Sequence, residues 1–405
     1  MEHEISLTAL GYGGDAIGRL ADGRAVFVPF GLPGERVRVR LREEKPGFAR
    51  GELIEVLQPS PERVSPRCRH FGTCGGCHYQ HLPYPKQLAI KSDILREQLQ
   101  RIGRIAEPPV QPAAGSPSAW NYRNHMQFHL DKDGRLGFQG ASAGRFIPIS
   151  ECHLPEEPIN ALWPKLYFEP GSGVERVSLR LGADRELMLV LESDDLHPPA
   201  LEIGAGISIV HSFEEDAVVL AGTERLGMRV LDRDFLVSAG SFFQVNTPLA
   251  GEMVAQVLRY LPAEIKIILD LYCGAGLFSA FLAPHCKRLI GVEASPSACR
   301  DFAINLDEFD HVELYEGPVQ EVLPHLQAAP GFALVDPPRA GLDRRALDAL
   351  VALAPPALVY VSCDPSTLAR DARRLLDGGY RLAEVKPFDL FPQTYHIESI
   401  SLFTR

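Results

Sequence analysis

From Ser241 onward the chain alternates four apolar runs, IKIILDLY, RLIGVEA, FALVDPP and ALVYVSC, with segments of helix length. Near-continuous apolar runs are what parallel strands buried on both faces need, and their alternation with helices specifies a doubly wound, Rossmann-like α/β sheet. Such a sheet takes its ligands in the crevice beyond the carboxyl ends of the strands, so the residues at those ends are the candidates for chemistry. At 405 residues the chain exceeds the roughly 250 to 300 that one core organises, and two or three domains are expected.

The rest of the chain has a different texture. Residues 1–58 read as short strands punctuated by Gly11, Gly13, Gly14, Gly23, Gly31 and Gly34, a spacing that suits a small five-stranded, OB-like barrel. Within it Arg36, Arg38, Arg40 and Arg42 alternate with Val37, Val39 and Leu41, which predicts a strand with an arginine face. That face reads equally as a solvated sheet surface or as an RNA contact. A net charge of −11 excludes a protein that coats nucleic acid non-specifically but leaves room for a local basic stripe.

Pro59, Pro61 and Pro66 mark a linker. Apolar residues at Leu88, Ile90, Ile94, Leu95, Leu99 and Ile102 then predict a helix over 84–103, free to pack on the catalytic domain. From Pro112 to about Asp234, alternating patterns and turn signals predict a mostly antiparallel β domain. The expected organisation is a multidomain α/β protein: a barrel over 1–58, a central β domain over 59–235 and the Rossmann-like domain over 236–405. The N-terminus has no secretory pattern, and no stretch approaches the roughly 20 apolar residues of a membrane span, so a cytoplasmic chain is expected.

At the strand ends the chemistry gathers. The first strand runs into DLYCGAGLF over 270–278, where glycines let backbone approach a ligand, and Glu293 closes the next strand about twenty residues on, suited to the hydroxyls of a ribose. A tight turn with a surface Glu is the plain alternative. Asp336, held by Pro337 and Pro338 at the end of a third strand, adds a carboxylate facing the crevice. Cys363 ends the fourth, ahead of a helix opened by DPS over 364–366. Its expected place at that helix N-terminus would lower its pKa and favours a nucleophile over a structural thiol. Glu398 interrupts an apolar strand and is either exposed by alternation or a base in the crevice.

Eight cysteines in a reducing compartment read as ligands, nucleophiles or small buried hydrophobes. Cys68, Cys74 and Cys77 form C-x5-C-x2-C, with Cys152 the one other cysteine outside the α/β domain. Three clustered thiols and one distant thiol resemble iron–sulfur ligation more than the paired knuckles of structural zinc, which stays the alternative.

Together these residues resemble the RNA uracil-5-methyltransferases, in particular the branch with a TRAM domain and an iron–sulfur cluster typified by the bacterial 23S rRNA enzymes. The resemblance runs through LPGERV, the cysteine quartet, SFFQVN, LDLYCGAGLFS, VDPPRAGLD, VSCDPSTLARD and FPQTYHIE. It implies a class of enzyme that moves a methyl group from S-adenosylmethionine to carbon 5 of uracil, with Cys363 as nucleophile and Glu398 as base. It further implies that Gln244, Tyr272, Glu293 and Asp336 lie on the cofactor side, and that Cys68, Cys74, Cys77 and Cys152 hold a [4Fe-4S] cluster. The implied partner is RNA, 23S rRNA ahead of tRNA, with no membrane and no obligate protein partner. Leu277, where some members carry Asn, and Gly317-Pro318, in place of Gly-Asp, depart from the pattern at the adenine side.

Two rival readings carry their own signatures. An amino-group methyltransferase would use an acid-Pro-Pro-aromatic loop, but Arg339 stands at the aromatic position and Cys363 would have no task. A non-catalytic RNA-binding or redox-sensing protein would form no covalent adduct with RNA.

Overall fold

The computed structural model describes residues 2–141, 144–199, 206–213 and 216–405. Strands β1 (Glu2–Leu10), β2 (Ala16–Arg19), β3 (Ala25–Val28), β4 (Arg36–Glu44) and β5 (Phe48–Gln58) close a barrel in the order β1-β2-β3-β5-β4. The period-two pattern of β4 sends Val37 and Val39 into its core with Ile5, Leu7, Val26 and Val28. The arginines on the other face are paired. Arg36 and Arg38 meet Glu4, Arg38 also meets Glu55 at 2.5 Å, Arg40 meets Glu2 at 2.8 Å, and Arg42 meets Glu52. Strands β1 and β5 flank β4 and supply those carboxylates, so the predicted basic stripe is neutralised in place.

Helix α1 (Tyr84–Arg101) leads to a seven-stranded sheet. Its strands are β6 (His125–Leu130), β7 (Leu136–Gln139), β8 (Phe146–Pro148), β9 (Val174–Leu181), β10 (Leu187–Ser193), β11 (Ile207–Phe213) and β12 (Asp216–Ala221), ordered β12-β11-β10-β9-β6-β7-β8. Every pairing is antiparallel except β10 with β11. The short helix α2 (Glu157–Leu162) buries Ile159 against this sheet, with Trp163 just beyond it.

A hairpin of β13 (Arg225–Val230) and β14 (Arg233–Ser238) follows, and its Met228, Val230, Phe235 and Val237 join the catalytic core. The packing unit of the catalytic layer therefore takes in residues ahead of 236. That layer comprises α3 (Thr247–Arg259), β15 (Ile265–Leu271), α4 (Leu277–Leu282), β16 (Cys286–Glu293), α5 (Pro296–Asn305), β17 (Val312–Glu316), α6 (Val319–Val322), β18 (Phe332–Val335), α7 (Arg344–Leu353), β19 (Ala357–Ser362), α8 (Pro365–Asp377), β20 (Arg381–Phe388) and β21 (Glu398–Thr404).

The sheet order is β17-β16-β15-β18-β19-β21-β20, parallel from β17 to β19 and closed by the antiparallel pair β21 and β20. Alternate strand residues feed two cores. Ile268, Leu334, Val359 and Val361 face α3, α4 and α5, whereas Leu269, Leu271, Ala333, Val335, Leu358 and Tyr360 face α7, α8 and α1. Thus α1, which lies in sequence between barrel and central sheet, belongs by packing to the catalytic layer through Ile94, Leu95 and Leu99. The order reverses between β15 and β18, which sets the ligand crevice at their carboxyl ends. No helix among the described residues is long and apolar enough to cross a membrane.

Candidate active site

Three neighbouring strand ends bring the predicted residues together. Antiparallel β19 and β21 pair Ser362 with Ser399, and Cys363 and Glu398 are the next residues at that end, close enough for the Glu398 carboxyl to act on the thiol. Asp336 follows β18, the strand on the other side of β19, and its N–H donates to the Leu271 carbonyl at 3.1 Å. Glu398 is 9% exposed, so the alternation that would have left it at the surface does not hold at the start of β21.

The electrostatics of this group differ from the expectation for Cys363. Its thiol is pushed up to about 12, by burial first and then by the carboxyls of Glu398 and Asp336, with Arg339 pulling the other way. The helix N-terminus does not reverse this because its donors are taken. Asp364 Oδ1 accepts the N–H groups of Ser366 and Thr367 at 2.8 and 3.0 Å, capping α8. Burial, reinforced by Asp336, also raises Glu398 well above the carboxylate range, and burial and Glu293 raise Asp336 to about 7. In the ligand-free crevice, Glu398 and Cys363 thus favour their neutral forms.

The cofactor side is built from the loop after β15. Asp270, fully buried, is pushed up to about 7 chiefly by burial and accepts a 2.5 Å hydrogen bond from Ser279 Oγ. Tyr272 adopts φ 62°, a left-handed conformation that costs a non-glycine residue energy, and its N–H is held by the Val292 carbonyl at 2.8 Å. Gly276, at φ 91°, has no room for a Cβ, which would lie 2.4 Å from Leu306 Cδ1, whereas one on Gly274 would point into open space. Glu293 Oε2 accepts the Gly274 N–H at 2.9 Å while Oε1 accepts those of Ala294 and Ser295. Gln244 reaches the same layer on a segment clamped from the central sheet, where the Asn124 side chain donates to its carbonyl at 3.0 Å.

The four cysteines of the predicted quartet lie apart from this crevice. Cys68, Cys74, Cys77 and Cys152 line one cavity of about 430 Å³ between the 68–80 loop and the central sheet, with Val245 at its back. Burial, and then the neighbouring thiols, pushes Cys77 up to about 12.

Sequence reasoning passed over several residues that the structure brings to the site. Tyr12 of the barrel donates to Asp364 Oδ2 at 2.9 Å, beside Cys363. Lys91 and Asp389 form a 2.6 Å ion pair, both side chains buried, behind Glu398. The one signal in the chain was polar Gln87, Lys91 and Gln98 recurring on the apolar stripe of α1.

Comparisons with known proteins identify the family. The model of the tRNA (uracil-5-)-methyltransferase family matches residues 212–316 and 328–405, and that of the TRAM domain matches 2–54. An uncharacterized RNA methyltransferase of Streptomyces coelicolor is 33% identical over 99% of this chain and 92% of its own length. The chain belongs to the RNA uracil-5-methyltransferase family. A second member, an uncharacterized RNA methyltransferase of Aquifex aeolicus, is 34% identical over 98% of this chain and 97% of its own. Among solved structures, the Pyrococcus abyssi tRNA (uracil-54, C5)-methyltransferase in complex with S-adenosyl-L-homocysteine superposes with a TM-score of 0.76, at 27% identity and 99% coverage of both chains. The protein is therefore an S-adenosylmethionine-dependent RNA methyltransferase of the uracil-5 type, with a TRAM barrel at its N-terminus.

Proposed function

We propose that this methyltransferase acts on a uridine of 23S rRNA through a covalent adduct between Cys363 and carbon 6 of the base. The observation that carries the reading is the strand end that brings Cys363 beside Glu398, with Asp336 on the next strand. Carbon 5 of uracil is a weak nucleophile. Addition of the Cys363 sulfur to carbon 6 forms a C–S bond and moves an electron pair to the O4 enolate, which makes carbon 5 reactive. S-adenosylmethionine supplies the methyl group from a positively charged sulfonium. Carbon 5 would bond to that methyl as the methyl–sulfonium bond breaks and neutral S-adenosylhomocysteine leaves. Glu398, ionised once the cationic cofactor offsets the negative field around it, takes the carbon 5 proton, and the returning electron pair expels the Cys363 thiolate.

The pKa pattern gives each residue its task. A buried thiol at about 12 needs a positive neighbour to ionise, and a cation docked beside Asp336 and Glu293 offsets the negative field that holds the thiol neutral. Gln244, Tyr272, Glu293 and Asp336 would hold the cofactor, Glu293 through its ribose and Asp336 near the sulfonium. A base stacked in duplex hides both reacting carbons, so the target uridine is unpaired or flipped.

RNA containing 5-fluorouridine tests the route, because carbon 5 then carries no removable proton. The expected result is a denaturation-resistant protein–RNA complex that requires both S-adenosylmethionine and Cys363, and its absence with methylation of ordinary RNA intact overturns the adduct. A second reading, tRNA as substrate, is favoured by the tRNA enzyme of Pyrococcus abyssi. Tritiated methyl transfer to unmodified 23S rRNA and tRNA transcripts, read side by side, decides between them.

We infer that the cysteine quartet holds a [4Fe-4S] cluster, with structural zinc as the alternative. Four thiols converge on one cavity, and tetrahedral zinc at about 2.3 Å from each sulfur would draw them to about 3.8 Å from one another. Such a cluster would tie the 68–80 loop to the central sheet, and methyl transfer needs no electron from it. Protein purified without oxygen should be brown and contain iron and sulfide. Colourless, fully active protein with stoichiometric zinc replaces this assignment.

A further inference from the structure

Glu398 opens β21 directly after the loop 389–397, whose Leu390 and Ile397 are buried in the two cores that flank the sheet. Many of the loop's polar groups go to residues 78–91, while others meet Ala114, Tyr122 and Asn246. Gln393 sits at φ 70°, a left-handed conformation rare for a side chain of its kind. Its N–H donates to Gln87 Oε1 at 3.0 Å, and its Oε1 accepts from Gln87 Nε2 at 3.0 Å. Its carbonyl accepts the N–H groups of His78 and Tyr79 at 2.8 and 3.0 Å. Gln87 Nε2 also donates to the carbonyls of Tyr79 and Leu82, so one fully buried amide ties helix, cysteine loop and hairpin together.

One helical turn on, Lys91 repeats the pattern. Its Nζ donates to Asp389 Oδ1 at 2.6 Å and to the Phe391 carbonyl at 3.2 Å. Asp389 is the residue after Phe388, and Phe388 is the strand partner of Glu398. The two α1 side chains therefore hold both the start and the middle of the loop that delivers the base. Elsewhere the same face of α1 is packed with Ile94, Leu95 and Leu99. An amide and a charged pair buried there are costly unless their geometry is used, and apolar residues of the same size would pack at least as well.

We propose that Gln87 and Lys91 are positioning residues for the carbon 5 proton abstraction, holding the 389–393 loop so that Glu398 stands beside Cys363. The proposal rests on Glu398 as the base. It assigns α1 a share in the proton step, separate from formation of the Cys363 adduct at the end of β19.

The test reads that separation. Gln87→Met and the paired Lys91→Met/Asp389→Asn are compared with Glu398→Gln for methylated covalent complex during turnover on ordinary RNA. The expected result is a kcat lowered roughly tenfold, short of the roughly 10²–10⁴ of losing a general base, with KM for RNA little changed and the methylated adduct accumulating. Leu95→Ala, which loosens the same helix without touching the loop, should lower Tm and accumulate none. If Glu398→Gln accumulates adduct and folded Gln87→Met does not, the positioning role is overturned. If Glu398→Gln itself accumulates none, the base assignment is what fails. Should Gln87→Met not fold, Gln393→Gly, which suits φ 70° and deletes the side-chain contact, decides by the same readout.

Discussion

The barrel face and the catalytic crevice use the same residue types to opposite ends. Along β4 the exposed Arg36, Arg40 and Arg42 and the half-buried Arg38 meet glutamates from β1 and β5 at the solvent face, where such pairs contribute little and fade with salt. In the crevice Asp270, Asp336 and Glu398 gather with a thiol under cover, and burial pushes all four groups toward their neutral forms. The difference teaches that exposure, more than residue identity, decides what a charge does here. On the barrel opposite charges cancel beforehand, whereas the crevice is short of positive charge and is relieved by a cationic ligand.

The strongest way to break this picture is at the crevice thiol. Cys363→Ala should abolish methyl transfer, by roughly 10⁴-fold or more, while S-adenosylmethionine binding measured by calorimetry persists. Retained turnover would show that the buried sulfur is only structural. Next in size, Glu398→Gln should cut turnover by roughly 10²–10⁴ and leave a methylated covalent complex visible on a denaturing gel. Turnover at the parent rate would return Glu398 to the role of a buried strand residue.

A smaller effect sharpens the charge argument through pH. Asp336 titrates near 7, so it is neutral below that value and anionic above it. Affinity for cationic S-adenosylmethionine should therefore rise between pH 6 and pH 8 by up to about tenfold relative to uncharged S-adenosylhomocysteine. Asp336→Asn should flatten that ratio, and a slope that survives the change belongs to another carboxyl, Asp270 first. The smallest effect lies on the barrel. Glu4→Gln with Glu55→Gln frees Arg36 and Arg38, should leave stability close to that of the parent, and should steepen the salt dependence of RNA binding if that face meets phosphate. An unchanged salt slope places the RNA on another face.

Much of the architecture was legible because its signals are local. The apolar runs that became β15, β16, β18 and β19, the alternation of Val37 and Val39 in β4, and the stripe of α1 each depend only on spacing along one element. The same holds for the strand-end motifs at Asp270, Glu293, Asp336 and Cys363, which parallel strands with crossover helices bring to one edge. Less was legible where a residue answers to a distant partner. The arginine face looked basic until β1 and β5 brought Glu2, Glu4, Glu52 and Glu55 against it. Nothing near Lys91 in the sequence accounts for its burial, because its partner is Asp389.

By itself, then, the sequence determined the kind of sheet, the residues at its ligand edge and the clustering of three cysteines, since periodicity and motif spacing are properties of adjacent residues. Only the tertiary structure decided that Cys363 stands beside Glu398, and that its thiol is raised although it precedes a helix. Register and desolvation depend on what packs around a group. At Cys363 those neighbours are Asp336, Arg339 and Glu398, far apart in sequence, together with an Asp364 that already occupies the helix's free donors.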